Sequence, residues 1–197
     1  MFEKELTKRQ IQAQHTKDII YRTAIDMMEQ KGFQNLKVEE ICKAAGVSIG
    51  SFYNCFKTKY EILDEVFHQL DLHILEVAPL KLAEGSAVEK IINFFGIYAD
   101  YNMWRGLEFT KHLYGVQNNL FKKKGRKLQT VLQNIIEEGQ KSGELNKSMT
   151  AEEAVEYLFV AIRGVVYNWC LHDGEYDLRE YMLNFVRKLL CALTKKI

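Results

Sequence analysis

KVEEICKAAGVSIGSFYNCFKTK, residues 37–59, is the stretch that decides the fold of this 197-residue chain. The apolar residues of its first half recur at helical spacing, which predicts a short helix with one buried face. These residues are Val38, Ile41, Cys42 and Ala45. Gly46 supplies a left-handed residue at which that helix can stop, and Ser48 supplies a hydroxyl that can cap the next helix. The stretch therefore predicts two short helices joined by a tight turn.

The second of these helices is polar on one side. Phe52 and Phe56 would be buried, whereas small, hydroxyl, amide and basic groups would point outward. From Val47 to Tyr60 there are two lysines and no acidic residue that would repel a phosphate. A helix–turn–helix with such a face suits the major groove of DNA. Spacing alone leaves a structural αα-hairpin with a solvated polar face as the alternative.

The same stretch resembles the DNA-binding signature of the TetR family of transcriptional regulators, over residues 16–67. The matching residues are Val38, Ile41, Ala45-Gly46-Val47-Ser48, Gly50, Phe52-Tyr53, Phe56, Lys59 and Leu63. The resemblance implies an all-α protein of about nine helices. Its parts would be a three-helix DNA-binding head, residues 1–58, and a helical ligand-binding and dimerisation body, residues 59–197.

The resemblance also implies a function. Such a protein binds a pseudo-palindromic operator as a homodimer and is a repressor released by a small molecule. The candidate DNA-binding residues are Lys37, Ser48, Ile49, Gly50, Ser51, Tyr53, Asn54, Lys57, Thr58 and Lys59. Hydroxyl, amide and ammonium groups among them would mostly contact phosphates, and Ile49, Gly50 and Tyr53 would meet base edges. The two recognition helices of the dimer would lie roughly 34–36 Å apart or somewhat more.

The sequence departs from the family pattern in three places. Lys37 stands where the family usually has a threonine N-cap, and a lysine cannot accept the free N–H groups there. Its ammonium could reach a phosphate instead. Cys42 replaces a usual alanine, and Asn54-Cys55 replaces a common pair of an aromatic residue with His or Tyr.

Composition adds a weaker indication. The formal net charge is +1, with ten Lys or Arg against seven Asp or Glu in residues 1–60, and 17 against 19 in the remainder. A mildly basic N-terminal part on a mildly acidic body fits a DNA-binding head on a sensor. The four cysteines lack the spacing of a zinc site and fit a reducing cytoplasm. The charged N-terminus is unlike a signal peptide, and no apolar run approaches the roughly 20 residues that span a bilayer, so we expect no membrane association.

The two C-terminal helices predict a dimer interface. The first opens at Thr150 and is apolar on nearly every side, and the second opens at Asp177. One chain leaves too little protein to cover both, so we expect each pair to meet its copy across a twofold axis. The expected interface residues are Leu158, Ile162, Val165, Val166, Trp169, Met182, Phe185 and Leu189.

An aromatic-rich stretch with glycine interruptions, from Tyr98 to Phe121, predicts a pocket for an aromatic or apolar effector. Ordinary core aromatics are the alternative for any single residue. A long helix from Lys59 to about Ala78, ended by Pro79, would add to its wall. The candidate pocket residues are Phe67, Leu70, Ile74, Phe95, Tyr98, Trp104, Phe109, His112, Tyr114, Ile135 and Trp169. The run Lys122-Lys123-Lys124 predicts a helix start or a solvated loop.

Two other classes of protein remain to be weighed. An enzyme is disfavoured, because the sequence has no Gly-rich phosphate loop, nucleophile elbow or His-Glu-x-x-His motif. Glu65-Val66-Phe67-His68 has the form used in di-iron bundles, but it has no second copy, so we expect no metal and no cofactor. A helical adaptor or small-molecule-binding protein that does not bind an operator is the other alternative.

Overall fold

The computed structural model describes residues 7–114, 121 and 125–194. The predicted lysine run at residues 122–124 lies outside them. The described residues form nine α-helices and a short 3₁₀ helix, which confirms the all-α prediction. They are α1 Lys8–Lys31, the 3₁₀ helix Phe33–Asn35, α2 Val38–Ala45, α3 Ile49–Cys55, α4 Tyr60–Lys81, α5 Ala87–Arg105, α6 Leu107–Leu113, α7 Lys127–Ser142, α8 Ala151–Leu171 and α9 Leu178–Leu190.

The chain divides into two compact units, Met1–Phe67 and His68–Ile197. The boundary falls inside α4, so the first turns of that helix belong to the first unit and the remainder to the second. The sequence placed the domain boundary at residues 58 and 59, just before α4 begins. Helix α4 continues to Lys81 with Pro79 in its last turn. Pro79 has no N–H to donate to the ladder, and the helix ends soon after it, with Leu82 N–H donating to Ala78 O at 2.8 Å.

The first unit is a small core in which α2 and α3 pack on α1. Helix α1 opens with a capping box, in which Thr7 and Gln10 satisfy each other's backbone N–H groups. It ends at Gly32, whose φ is 76°. The fully buried side chains that close this core include Ile20, Met28, Ile41, Phe52 and Phe56.

In the second unit α5 packs against both α7 and α9, and α8 packs against α7 and α9. Capping boxes formed by Ser86 with Glu89 and by Thr150 with Glu153 open α5 and α8. At Gly139 α7 approaches its neighbours so closely that an added Cβ would lie 2.5 Å from Ala87 Cβ. Within the described residues α8 is the one helix long and apolar enough to cross a bilayer, and half of its most apolar window is buried in the chain.

Candidate DNA-binding and effector sites

A tight turn fixes the angle between α2 and α3. Gly46 adopts a left-handed conformation, φ 67° and ψ 29°, and Val47 N–H donates to Cys42 O at 3.0 Å. This closes α2 in the way that a C-terminal glycine allows. Ser48 then caps α3, because its Oγ accepts from Ser51 N–H at 3.0 Å. Both features were predicted from the sequence, since each depends on hydrogen bonds within a few residues.

Two buried aromatic side chains fix α3 to the core of the first unit. Phe52 and Phe56 are fully buried, with ring centroids 5.8 Å apart. The Lys17 ammonium lies 5.6 Å from the Phe56 ring and forms a 2.6 Å ion pair with Glu65, joining α1 to α4 within the first unit. Glu65, the carboxylate of the suspected metal motif, therefore has a lysine partner. Among the described residues, no group of three or more His, Cys, Asp or Glu is placed to hold a metal.

The outward face of α3 is exposed and carries no acidic side chain. Ile49 is 46% exposed and Tyr53 is 52% exposed, and Gly50, Asn54, Lys57 and Thr58 are also exposed. Large apolar side chains held in water by a rigid anchor are a signal for an intermolecular contact.

The surroundings of Gly50 on α3 leave room for a side chain. Among the described residues, a Cβ built there would meet only Ser48 Oγ, at 3.7 Å, which is an ordinary contact. Nothing in the fold therefore requires a glycine at this position, although glycine costs a helix about 1 kcal/mol relative to alanine. Position 50 is open to a close approach by another molecule.

Lys59 is used differently from the prediction. Its Nζ donates to the carbonyl oxygens of Phe33, Gln34 and Leu36 at 3.3, 3.1 and 2.9 Å. An ammonium has three donors, so the end of the 3₁₀ helix occupies all of them and none is left for a phosphate. The sequence missed this because the acceptors lie more than 20 residues away.

Three further DNA-face residues have local roles. Ser48 and Ser51 lie with their hydroxyl oxygens 2.8 Å apart, so the cap uses both. Lys37 is the N-cap residue of α2, without a side-chain cap hydrogen bond, and is exposed. Thr58 to Glu61 have the sequence form of a capping box. In the structure Glu61 Oε2 instead accepts from the N–H of Lys57, one residue before Thr58, at 2.8 Å.

The predicted effector residues are only partly brought together. Most are buried in the second unit: Leu70, Ile74, Phe95, Tyr98, Phe109, Tyr114, Ile135 and Trp169. Phe67 is buried but belongs to the first unit. Trp104 is 72% exposed and His112 is exposed, so neither lines an internal pocket. Trp104 lies in the last turn of α5, which ends at Arg105. Its ring points outward and contacts the ring of Tyr101, with ring centroids 5.6 Å apart.

A small cavity of about 20 Å³ lies beside Tyr98. That is room for about one water molecule. Its lining residues are Tyr98, Phe121, Arg126, Leu128, Gln129, Phe159 and Arg163. The Tyr98 and Tyr114 hydroxyl oxygens meet at 2.6 Å in the buried core beside it, and burial raises the pKa of both phenols.

Two arginines line this cavity, and sequence reasoning missed both. Arg126, at the N-cap of α7, donates through Nη2 to Asp71 Oδ1 at 2.8 Å. Arg163 on α8 donates to Phe121 O at 2.8 Å and pairs with Glu156 at 3.2 Å. The signal available in the sequence was Arg163 itself, which is the one charged residue between Tyr157 and Leu171.

Most of the predicted dimer residues face the interior of their own chain. Leu158, Ile162, Val165, Val166, Trp169 and Met182 are buried within the chain's own core, and Phe185 and Leu189 are half-buried. The exposed side of α8 carries a different apolar stripe at helical spacing: Tyr157, Val160, Gly164, Tyr167 and Leu171. Because α8 is apolar all round, periodicity could not say which stripe faces the chain's own core.

Comparison with known proteins supports the assignment of both units. The family model described as bacterial regulatory proteins of the tetR family matches residues 20–66. The one described as the C-terminal region of YsiA-like protein matches residues 117–192. The chain is also 28% identical over 170 residues to the fatty acid metabolism regulator protein of Bacillus subtilis (strain 168), covering 81% of this chain and 86% of that protein.

Solved structures give the same result. The crystal structure of the transcriptional regulator FadR from Bacillus subtilis in complex with stearoyl-CoA matches with a TM-score of 0.72 and 26% identity, covering 88% of this chain and 96% of that one. FadR from Thermus thermophilus in complex with lauroyl-CoA shares the fold, with a TM-score of 0.66 and 20% identity over 92% of this chain and 97% of that one.

Proposed function

The chain belongs to the TetR family of transcriptional regulators, and from that premise we propose that it is a repressor whose effector is a fatty acyl-CoA thioester. As a member of that family it is a ligand-responsive regulator that binds operator DNA as a homodimer. The identity of the effector and the residues that contact each partner are what we add.

The observation that carries the effector proposal is that Arg126 and Arg163 line one cavity whose other walls include aromatic rings. Guanidinium groups suit phosphates, and rings and aliphatic side chains suit an acyl tail. An acyl-CoA offers both chemistries in one molecule. The related FadR structures bind stearoyl-CoA and lauroyl-CoA.

The cavity is far smaller than the roughly 300–1,000 Å³ of ordinary ligand sites. Acyl binding must therefore displace side chains and separate helices of the second unit, which makes the site one that the ligand opens. The same rearrangement of the second unit is also the means of regulation. A ligand releases the operator only to the extent that it prefers a conformation with lower DNA affinity, by about 1–3 kcal/mol in typical cases.

For the DNA side, we place Ile49, Gly50 and Tyr53 on base edges, and Lys37, Asn54, Lys57 and Thr58 on phosphates. For the homodimer, we place the outward stripe of α8, from Tyr157 to Leu171, at the twofold interface. An added Cβ at Gly164 would have no neighbour within 4 Å in the chain, which leaves that position open for close approach by the partner's helix. We further take the protein to be cytoplasmic and to have no enzymatic activity.

Fluorescence anisotropy with DNA from the protein's own promoter tests the proposal. We expect nanomolar binding that weakens steeply with salt, and release by C12 to C18 acyl-CoAs but not by free CoA or by the free fatty acids. Binding that survives saturating acyl-CoA would refute the effector. Failure to bind any promoter fragment at low salt would favour the adaptor alternative.

A further inference from the structure

Asp71 stands out among the buried groups of the second unit. Within the described residues it is the one carboxylate that falls in the buried class. Its side chain is 11% exposed and that of its partner Arg126 is 14% exposed. A buried carboxylate is stable there because the guanidinium compensates its charge, so removing the partner leaves an uncompensated charge away from water.

The same guanidinium lines the proposed effector cavity. An anionic ligand group that enters there would meet Arg126 already paired. We propose that the anionic part of the effector and Asp71 compete for Arg126, and that this competition couples effector binding to operator release. This inference rests on the proposed acyl-CoA effector and names the regulation of that site.

The position of Asp71 on α4 explains how the competition for Arg126 could affect operator binding. It lies on α4, four residues after Phe67, where the first compact unit ends. One continuous helix therefore carries both Asp71 and the last residues of the DNA-binding unit. When the effector takes Arg126, Asp71 must either gain water or move, and either change acts on α4.

The second arginine supplies a contrast inside the same cavity. The carboxylate partner of Arg163 is Glu156, on the same helix and 49% exposed. Glu156 is already hydrated, so losing Arg163 costs it little. An effector that binds Arg163 gains affinity there, without a penalty that reaches α4. Arg126 thus carries the coupling and Arg163 only the affinity.

The two carboxylates give matched variants. In Asp71→Asn the competitor for Arg126 is neutral, so we expect acyl-CoA affinity to rise by about tenfold, operator affinity without ligand to fall, and operator release to need correspondingly less acyl-CoA. In Glu156→Gln the operator affinity should stay within twofold of wild type. Isothermal titration with lauroyl-CoA and stearoyl-CoA, and anisotropy with promoter DNA, measure the two affinities.

A purely structural bridge predicts a different result. It would have Asp71→Asn lower thermal stability and leave acyl-CoA affinity unchanged or reduced, and that outcome would overturn the competition. Arg126→Gln is the second variant: it should weaken both acyl-CoA and operator binding, and an unchanged operator affinity would also overturn it. If wild type binds no acyl-CoA, the proposed effector itself is wrong. If wild type binds and Asp71→Asn behaves like Glu156→Gln, only the competition is wrong.

Discussion

Lysine in place of Val160 should dissociate the homodimer and leave the chain folded. Val160 lies on the outward stripe of α8 and is 57% exposed in the single chain. A surface substitution of this kind changes the stability of the chain by no more than about 0.5 kcal/mol. In a twofold interface, by contrast, the same position is buried and occurs twice.

The magnitude follows from the exposed fraction. Full burial of a valine side chain contributes about 1.5 kcal/mol, so covering the exposed 57% contributes roughly 0.9 kcal/mol per copy. Two copies give about 1.7 kcal/mol, which corresponds to about a 15-fold weaker dimer. Bringing two ammonium groups towards the axis adds desolvation and repulsion, so this figure is a lower bound.

Sedimentation equilibrium over a concentration series measures the dimer constant, and circular dichroism checks folding. Leu80→Lys is the control, because Leu80 is 85% exposed on α4, away from the stripe. It should leave the dimer constant unchanged. A Val160→Lys chain that dimerises as tightly as wild type would refute the assignment of this stripe to the interface, and so would one that loses its helical signal.

Four further predictions test other parts of the structure. Gly50→Ala should raise the free energy of unfolding by up to about 1 kcal/mol, because alanine favours a helix. It should lower operator affinity at least fivefold, because the added methyl group would collide with the DNA. Operator affinity equal to that of wild type would contradict this. Lys59→Met should cost about 2 kcal/mol in urea unfolding through its lost carbonyl contacts and leave the salt slope of DNA binding unchanged. Lys57→Met should leave stability unchanged and reduce that slope by about 1.8, which is about 0.9 for the lysine of each subunit of the homodimer. Gly139→Ala should destabilise by about 1–3 kcal/mol through its overlap with Ala87, and an unchanged melting temperature would show that α7 can move away. Burial raises the pKa of Tyr98 and Tyr114, so as pH rises above about 10 the unfolded chain loses those two protons before the folded chain does. The free energy of unfolding should therefore fall there by up to about 1.4 kcal/mol per pH unit for each phenol. The double variant Tyr98→Phe with Tyr114→Phe should reduce that dependence in denaturant titrations between about pH 9 and 11.

The sequence determined the parts of the protein whose physics is local. Gly46, Ser48 and the helical spacing of apolar residues define the helix–turn–helix, because their hydrogen bonds and buried faces involve neighbours a few residues away. The capping boxes at Ser86 and Thr150 follow for the same reason. These signals predicted the all-α fold and, with the family resemblance, the regulator that the comparisons support.

Tertiary structure decided everything that depends on a distant partner. The sequence predicts that Lys59 contacts a phosphate, but in the structure its ammonium donates to carbonyl groups more than 20 residues earlier in the chain. Asp71 and Arg126 meet across 55 positions, and no local pattern marks that pair. The outward stripe of α8 was equally hidden, because a helix that is apolar on every side has no periodic contrast. The packing of α8 against α6, α7 and α9 shows which side of the helix is left exposed.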